Sequence, residues 1–240
     1  MKKFIVPAVC ILLAIVSICV GIKSNAKAYS QFDDMTAKSY IVIDESGNTL
    51  LSKNPNEKHE VASICKLMTT LITLEHLDSG AIALDDKTVA SSYACDAEGS
   101  QAFLDAGSEY SIRDLIKSVI VASANDSAIV LAETIGGSEQ NFVNMMNEKA
   151  KQIGMKNTTF NNPSGLDEEK GNMSTAYDMA ILTSYAMQNK DYRDSVKTKN
   201  YKLTTNKNVY SWTNKNKLLT SYKYTTGGKT GFTKIAKRTL

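Results

Sequence analysis

From Ser63 onward, Ile64, Leu67, Met68, Leu71, Ile72 and Leu74 recur at helical spacing until Gly80 stops the run. The apolar residues are too nearly continuous for a helix lying on a surface. This helix is therefore expected to be buried on most sides, with the rest of the chain packed around it. Two polar residues stand out in its first turn: Ser63 and Lys66 share one face.

The remaining pattern supplies the packing partners. Ser39 to Asp44 reads as a strand, Glu45-Ser46-Gly47-Asn48 as a turn and Thr49 to Ser52 as the return, giving an N-terminal hairpin. Ser111 with Asp114 forms a capping box ahead of Ile112, Leu115, Ile116, Val119 and Ile120, a helix ending near Ser123. A further helix runs from about Asp126 to Ile135 and stops at Gly136-Gly137, and another runs from Glu139 to Ile153. Asn161-Asn162-Pro163-Ser164-Gly165 opens a turn-rich loop that lasts until Ser174 or Thr175 caps a helix through Met187. Beyond it, Tyr201 to Thr205, Val209 to Thr213, Tyr222 to Thr226 and Lys229 to Thr233 have the Thr, Tyr and Val content of short strands. Strands, then helices, then strands imply an α+β fold, a helical cluster with an antiparallel sheet.

The first thirty residues belong to a different class. Lys2 and Lys3 precede an uncharged run from Phe4 to Ile22, and Ala26-Lys27-Ala28 places small residues where a signal peptidase reads. Residues 1–28 are expected to be an export signal cleaved after Ala28. An uncleaved membrane anchor is the alternative, because the run is nearly long enough to span a bilayer. Removing this segment takes away Lys2, Lys3, Lys23 and Lys27 and no acid, so the formal charge falls from +3 to about −1. The basicity is a targeting feature, and a nucleic-acid partner loses its main support. Residues 29–240 are then one domain of ordinary globular composition, 42% hydrophobic and 22% charged across the chain. Of the cysteines, Cys65 and Cys95 remain; two alone do not make a disulfide framework, and Cys65 reads as a small buried filler. His59 and His76 have no ligand-like partners at a zinc spacing, so no metal is expected.

Chemistry concentrates in three short signatures in order: Ser63-Ile64-Cys65-Lys66, Ser123-Ala124-Asn125 and Lys229-Thr230-Gly231. Each is weak alone, since Ser24-Asn25-Ala26-Lys27 and Ser46-Gly47-Asn48 spell similar patterns by accident. Ser63 is placed as a nucleophile and Lys66, one turn away, as its general base. The base must be a free amine, whereas an unperturbed lysine pKa near ~10.4 leaves about one molecule in a few thousand neutral. Burial and a second cation, for which Lys229 is the candidate, would both lower it. Ser123 is placed to relay a proton to a leaving amine and Asn125 to hold a substrate amide, although a Ser-x-Asn at a helix end is more often a cap. Lys229 and Thr230 offer a charge and a hydroxyl to a substrate carboxylate, and Gly231 lets the strand edge approach closely. The amides of Ser63 and Phe232 are candidates for an oxyanion hole.

Together with Val61 to Thr69, Gly99-Ser100, Phe103-Leu104, Asn162-Pro163-Ser164-Gly165-Leu166, Ser174 to Ala180 and Gly228 to Thr233, these motifs resemble the low-molecular-weight penicillin-binding proteins, the D-alanyl-D-alanine carboxypeptidases of family S11. The resemblance runs from about Ala37 to Leu240. It implies an exported serine hydrolase that removes the terminal D-alanine of peptidoglycan stem peptides through an acyl-enzyme on Ser63, needs no cofactor and is acylated by β-lactams. It also implies that the Lys229 strand is followed by further strands and a helix that join it to the N-terminal hairpin. A chain ending at Leu240 would then be C-terminally truncated, with a gapped sheet, an unpaired edge and poor folding. The alternatives are a truncated domain that binds cell-wall peptide or β-lactam without turnover, and a class A β-lactamase. For the latter, Glu168 and Glu169 lie in about the right stretch but lack the Leu-Asn partner of the deacylating glutamate. Asp126 reads as a helix-start acid rather than a catalyst.

Overall fold

The expected central helix is the axis of the molecule. In the computed structural model, which describes residues 35–166, 171–205 and 208–240, helix α1 (Lys66–Asp78) follows a 3-10 turn at Ala62–Cys65, and every residue from Lys66 to Leu74 is buried. The segment expected to direct export, together with Glu168 and Glu169, lies outside the described residues. A one-turn helix α2 (Ser92–Cys95) precedes α3 (Ile112–Val121), α4 (Asn125–Gly136), α5 (Glu139–Gln152), α6 (Ala176–Ala186) and α7 (Lys190–Val196). Helices α3 to α7 all pack on α1, and this explains why its apolar residues surround it. Leu71, Ile116, Val130, Phe142, Met146 and Leu182 meet there, each no more than 2% exposed. Burying one such side chain contributes about 1.5–3 kcal/mol.

Local signals set the helix ends. The Ser111 hydroxyl accepts from the Asp114 amide at 3.1 Å and donates to the Asp114 carboxylate at 2.6 Å, closing the expected box. Gly137, left-handed at φ +70°, ends α4 as expected. Between the two candidate caps of α6 the structure selects Thr175, whose hydroxyl accepts from the Asp178 amide, while Ser174 pairs in a strand. Helix α7 was not foreseen; Asn189 caps it by accepting from the Tyr192 amide.

Among the described residues, the strands form five antiparallel pairs rather than one continuous sheet. Strands β1 (Tyr40–Ile43) and β2 (Thr49–Lys53) make the expected hairpin, with Asp44 accepting from the Ser46 and Asn48 amides to close its turn, and α6 packs on β1. β3 (His59–Glu60) pairs with β6 (Met173–Ser174), β4 (Lys87–Val89) with β5 (Glu109–Ser111), and β7 (Asn200–Thr204) with β8 (Val209–Thr213). The last pair is β9 (Gly231–Thr233) with β10 (Lys237–Thr239). One return strand follows the Lys229 signature, and Lys229 and Thr230, expected to open β9, precede it instead. Tyr222 to Thr226 is not a strand. The chain instead makes a single helical turn, α8 (Leu218–Ser221), and an irregular stretch. Thr and Tyr favour a pleated, half-buried surface, but no described strand pairs with this segment. Among the described residues, no helix is long and apolar enough to cross a membrane.

Candidate active site

Ser63 sits in the 3-10 turn, where three residues per turn bring positions i and i+3 into line. Lys66 Nζ consequently lies 3.1 Å from Ser63 Oγ. The turn is strained, with Ala62 left-handed at φ +49°. What holds it is the neighbouring loop. Gly165, itself at φ +77°, lies so close that an added Cβ would fall on the Ala62 carbonyl, so only glycine fits there.

Lys66 has two further partners, Asn125 Oδ1 at 2.6 Å and the Ser164 carbonyl. Asn125 donates its Nδ2 to the Glu98 carbonyl at 2.6 Å, which fixes Oδ1 as the side facing the lysine. This pattern determines what a neutral Lys66 can do. Its two N–H bonds go to Asn125 Oδ1 and the Ser164 carbonyl, which can only accept, and its lone pair is left for the Ser63 hydroxyl proton. The loop that aims the Ser164 carbonyl is built by asparagines. Asn162 Oδ1 accepts from the Ser164 and Gly165 amides, while Asn172 accepts from the Asn161 and Asn162 amides and donates to the Asn162 carbonyl. Thr69 Oγ1, on α1, donates to the Pro163 carbonyl at 2.7 Å and ties the loop to the helix.

Ser123 occupies the joint between α3 and α4 at φ +62°, a conformation that non-glycine residues hold only at a cost of order 1–3 kcal/mol. It faces the third signature: Lys229 Nζ donates to Ser123 Oγ at 2.8 Å. Asp126, one residue into α4, is fully buried. Its carboxylate accepts from the amides of Ala102 (3.0 Å), Leu104 (3.2 Å) and Ser127 (2.7 Å), while the Asn125 amide donates to the Ser100 carbonyl at 2.7 Å. Asp126 is thus a clamp that pins residues 100–104 along the joint, a larger role than a helix-start acid.

The strand side closes the site. Strand β9 packs on the 3-10 turn, and a Cβ on Gly231 would lie 3.0 Å from the Ser63 amide nitrogen and collide with Thr239 Oγ1. Thr239 Oγ1 donates to the Val61 carbonyl at 3.1 Å, just ahead of that turn. The Phe232 side chain is 65% exposed, so any role it has here falls to its backbone.

Burial pulls the Lys66 ammonium down to about 8; the Lys215 charge adds to this, while the Cys65 thiol and the Asp126 carboxylate oppose it. About one molecule in ten then carries the free amine near pH 7. Lys229 is lowered well below the ordinary lysine value, first by burial, then by Lys66 and Lys215. Lys66 and Lys229 thus repel each other, as expected of the second cation, and Lys215 is a third charge that acts on both.

A family model of D-alanyl-D-alanine carboxypeptidases matches residues 25–240. The chain belongs to that family. It is 41% identical over 206 residues to the D-alanyl-D-alanine carboxypeptidase DacF of Bacillus subtilis (strain 168), covering 85% of this chain and 53% of that protein, so it spans about half the length of this relative. It is 32% identical over 210 residues to the D-alanyl-D-alanine carboxypeptidase DacB2 of Mycobacterium tuberculosis, 86% of this chain and 70% of that one. Among solved structures, the carboxypeptidase DacD of Francisella tularensis superposes with a TM-score of 0.80 at 27% identity, over 85% of this chain and 62% of that chain. A mutant of the Streptomyces K15 DD-transpeptidase gives 0.79 at 29% identity, over 85% and 84%.

Within this carboxypeptidase-family fold, Ser63, Lys66, Ser123, Asn125 and Lys229 come together as the motif order suggested, with Thr230 and Gly231 adjoining. Cys65 and Cys95 are free thiols, Cys65 buried in the 3-10 turn that carries Ser63. The sequence reading missed three parts: the Ser164 carbonyl, the Asp126 clamp and Lys215. The Asn-Pro-Ser-Gly block pointed at the first of these. Only the position of Lys215, fourteen residues ahead of Lys229, brought it near the site, and spacing of that kind carries no signal.

Proposed function

We propose that this chain is the catalytic portion of a serine-type D-Ala-D-Ala carboxypeptidase, with Ser63 as nucleophile and Lys66 as general base. The observation that carries this is the Lys66 amine, buried, lowered to about 8 and aligned on the Ser63 hydroxyl. As the Ser63 Oγ–carbon bond forms, the hydroxyl proton passes to Lys66 and the carbonyl electron pair moves onto oxygen, facing the amides of Ser63 and Phe232. Collapse breaks the peptide bond. The departing D-alanine amine takes a proton through Ser123, whose hydroxyl Lys229 orients, and water then releases the acyl group. Asn125 holds the substrate amide, and Lys229, Thr230 and Gly231 the terminal carboxylate and backbone. The partners are a peptidoglycan stem peptide and β-lactams that acylate the same serine, and the place of action is extracytoplasmic, reached through the leading apolar segment, which could also serve as a membrane anchor.

Intact mass after incubation with benzylpenicillin tests the nucleophile. A single adduct is expected on the unmodified chain and none on Ser63→Ala; an adduct that survives the substitution would sink the assignment. Release of D-alanine from a pentapeptide tests turnover. The separation of β1–β2 from β9–β10 favours a second reading, a domain that binds β-lactam or cell-wall peptide without turnover. An adduct without D-alanine release would identify it.

A further inference from the structure

Two lysines cross from the strand side of the cleft to the helix side. One is Lys229, on Ser123. The other is Lys215, which follows β8 and donates to Ser100 Oγ at 2.7 Å. We propose that Lys215 is a positioning residue of this site, bracing the Gly99–Ser100 segment against Asn125 and so keeping Lys66 aligned on Ser63; this rests on the reading of Ser63 and Lys66 as nucleophile and base.

The bonds are continuous. The Ser100 hydroxyl accepts from Lys215, the Ser100 carbonyl accepts from the Asn125 amide at 2.7 Å, and Asn125 Oδ1 accepts from Lys66 at 2.6 Å, which in turn meets Ser63 at 3.1 Å. Lys215 is itself anchored on both sides. Asn214 donates to the Thr198 carbonyl at 2.9 Å and accepts from the Asn216 amide, and Asn216 accepts from the Leu218 amide and donates to the Gly227 carbonyl at 3.3 Å. The two asparagines are 9% and 3% exposed, so the backbone on either side of Lys215 is held next to the chain that leads into Lys229.

A neutral donor would brace Ser100 equally well, but Lys215 is a cation. None of Lys66, Lys215 and Lys229 forms a salt bridge among the described residues. Lys66, Lys215 and Lys229 repel one another, and the Cys65 and Asp126 groups oppose that repulsion at Lys66. Removing the Lys215 charge makes a protonated Lys66 easier to hold, so the free amine becomes scarcer at pH 7. The side chain is exposed, so screening keeps this effect small.

The test compares Lys215→Met, Lys215→Arg and Ser100→Ala with the unmodified chain by two readouts: the pH dependence of Ser63 acylation by benzylpenicillin and the NMR titration of the Lys66 side chain. Lys215→Met is expected to move the Lys66 midpoint up by about half a pH unit and to cut acylation at pH 7 about threefold or more, as that shift converts. Lys215→Arg is expected to restore both. Ser100→Ala should slow acylation without moving the midpoint, since it removes the brace and keeps the charge. An unchanged midpoint in Lys215→Met, failure of Lys215→Arg to restore it, or unchanged acylation in Ser100→Ala would overturn the proposal. If Lys215→Met melts early, Lys215→Arg and Ser100→Ala still decide. Should the unmodified chain take no penicillin, the reading of Ser63 falls, while the Lys66 titrations still decide whether Lys215 acts on that amine.

Discussion

The two walls of this site are built in opposite ways. The helical wall holds itself: the Asp126 carboxylate gathers the amides of residues 102, 104 and 127, Asn162 and Asn172 interlock, and α1 is buried on all sides from Lys66 to Leu74. The strand wall is a two-stranded ribbon three residues long, located by Thr239 on Val61 and by Lys229 on Ser123. The Ser63–Lys66 pair is therefore pre-organised by a network that does not depend on substrate. The edge along which a peptide would lie takes its position from contacts with the opposite wall.

Asp126→Ala strikes the self-supporting wall and is expected to have the largest effect. It removes the acceptor of buried amides at Ala102 and Leu104 and leaves a cavity, at a cost of roughly 3 kcal/mol or more. Chemical denaturation reads this directly, provided the unmodified chain gives a cooperative transition. A loss below about 1 kcal/mol would mean that residues 100–104 are held by something other than this carboxylate.

Lys66→Met comes next and has the opposite sign. The folded pKa of Lys66 lies below the ordinary value, near 8 against 10.5, so the unfolded chain binds this proton more tightly. The cost is fully present below pH 8 and fades as pH rises to 10.5. Lys66→Met should abolish acylation yet melt higher at neutral pH, by up to about 3 kcal/mol of stability, with the gap closing by pH 10.5. A gap that does not change with pH would mean that burial of the charge is not what Lys66 costs the fold.

Those two residues also mark how far the sequence could be read. The Ser63–Lys66 pair was legible because its signal is local: apolar residues at helical spacing imply burial, and burial of a lysine three residues from a serine implies a base. Helix ends at Ser111 and Gly137 were legible for the same reason. Asp126 was read only as a helix-start acid because its partners, at positions 102 and 104, lie over twenty residues away. Ser164 acts through a backbone carbonyl, which has no side-chain signature, and Lys215 meets Ser100 across 115 residues. Tyr222 to Thr226 misled because strand propensity says what a segment fits, whereas pairing depends on what lies beside it.

Thr239→Val is the mildest probe and bears most directly on the difference between the walls. Valine keeps the shape against Gly231 but loses the bond to the Val61 carbonyl, worth about 1 kcal/mol. The ribbon should loosen while the helical wall stays as it is, because the Val61 amide remains bonded to the Asn172 carbonyl at 3.0 Å. Hydrogen exchange is expected to speed up at the amides of Gly231–Thr233 and to stay unchanged at Ala102 and Leu104, with acylation slowed only a few-fold. Equal loss of protection on both sides would mean that the helical wall leans on the ribbon as much as the ribbon leans on it, and the site would then have to be treated as one cooperative unit.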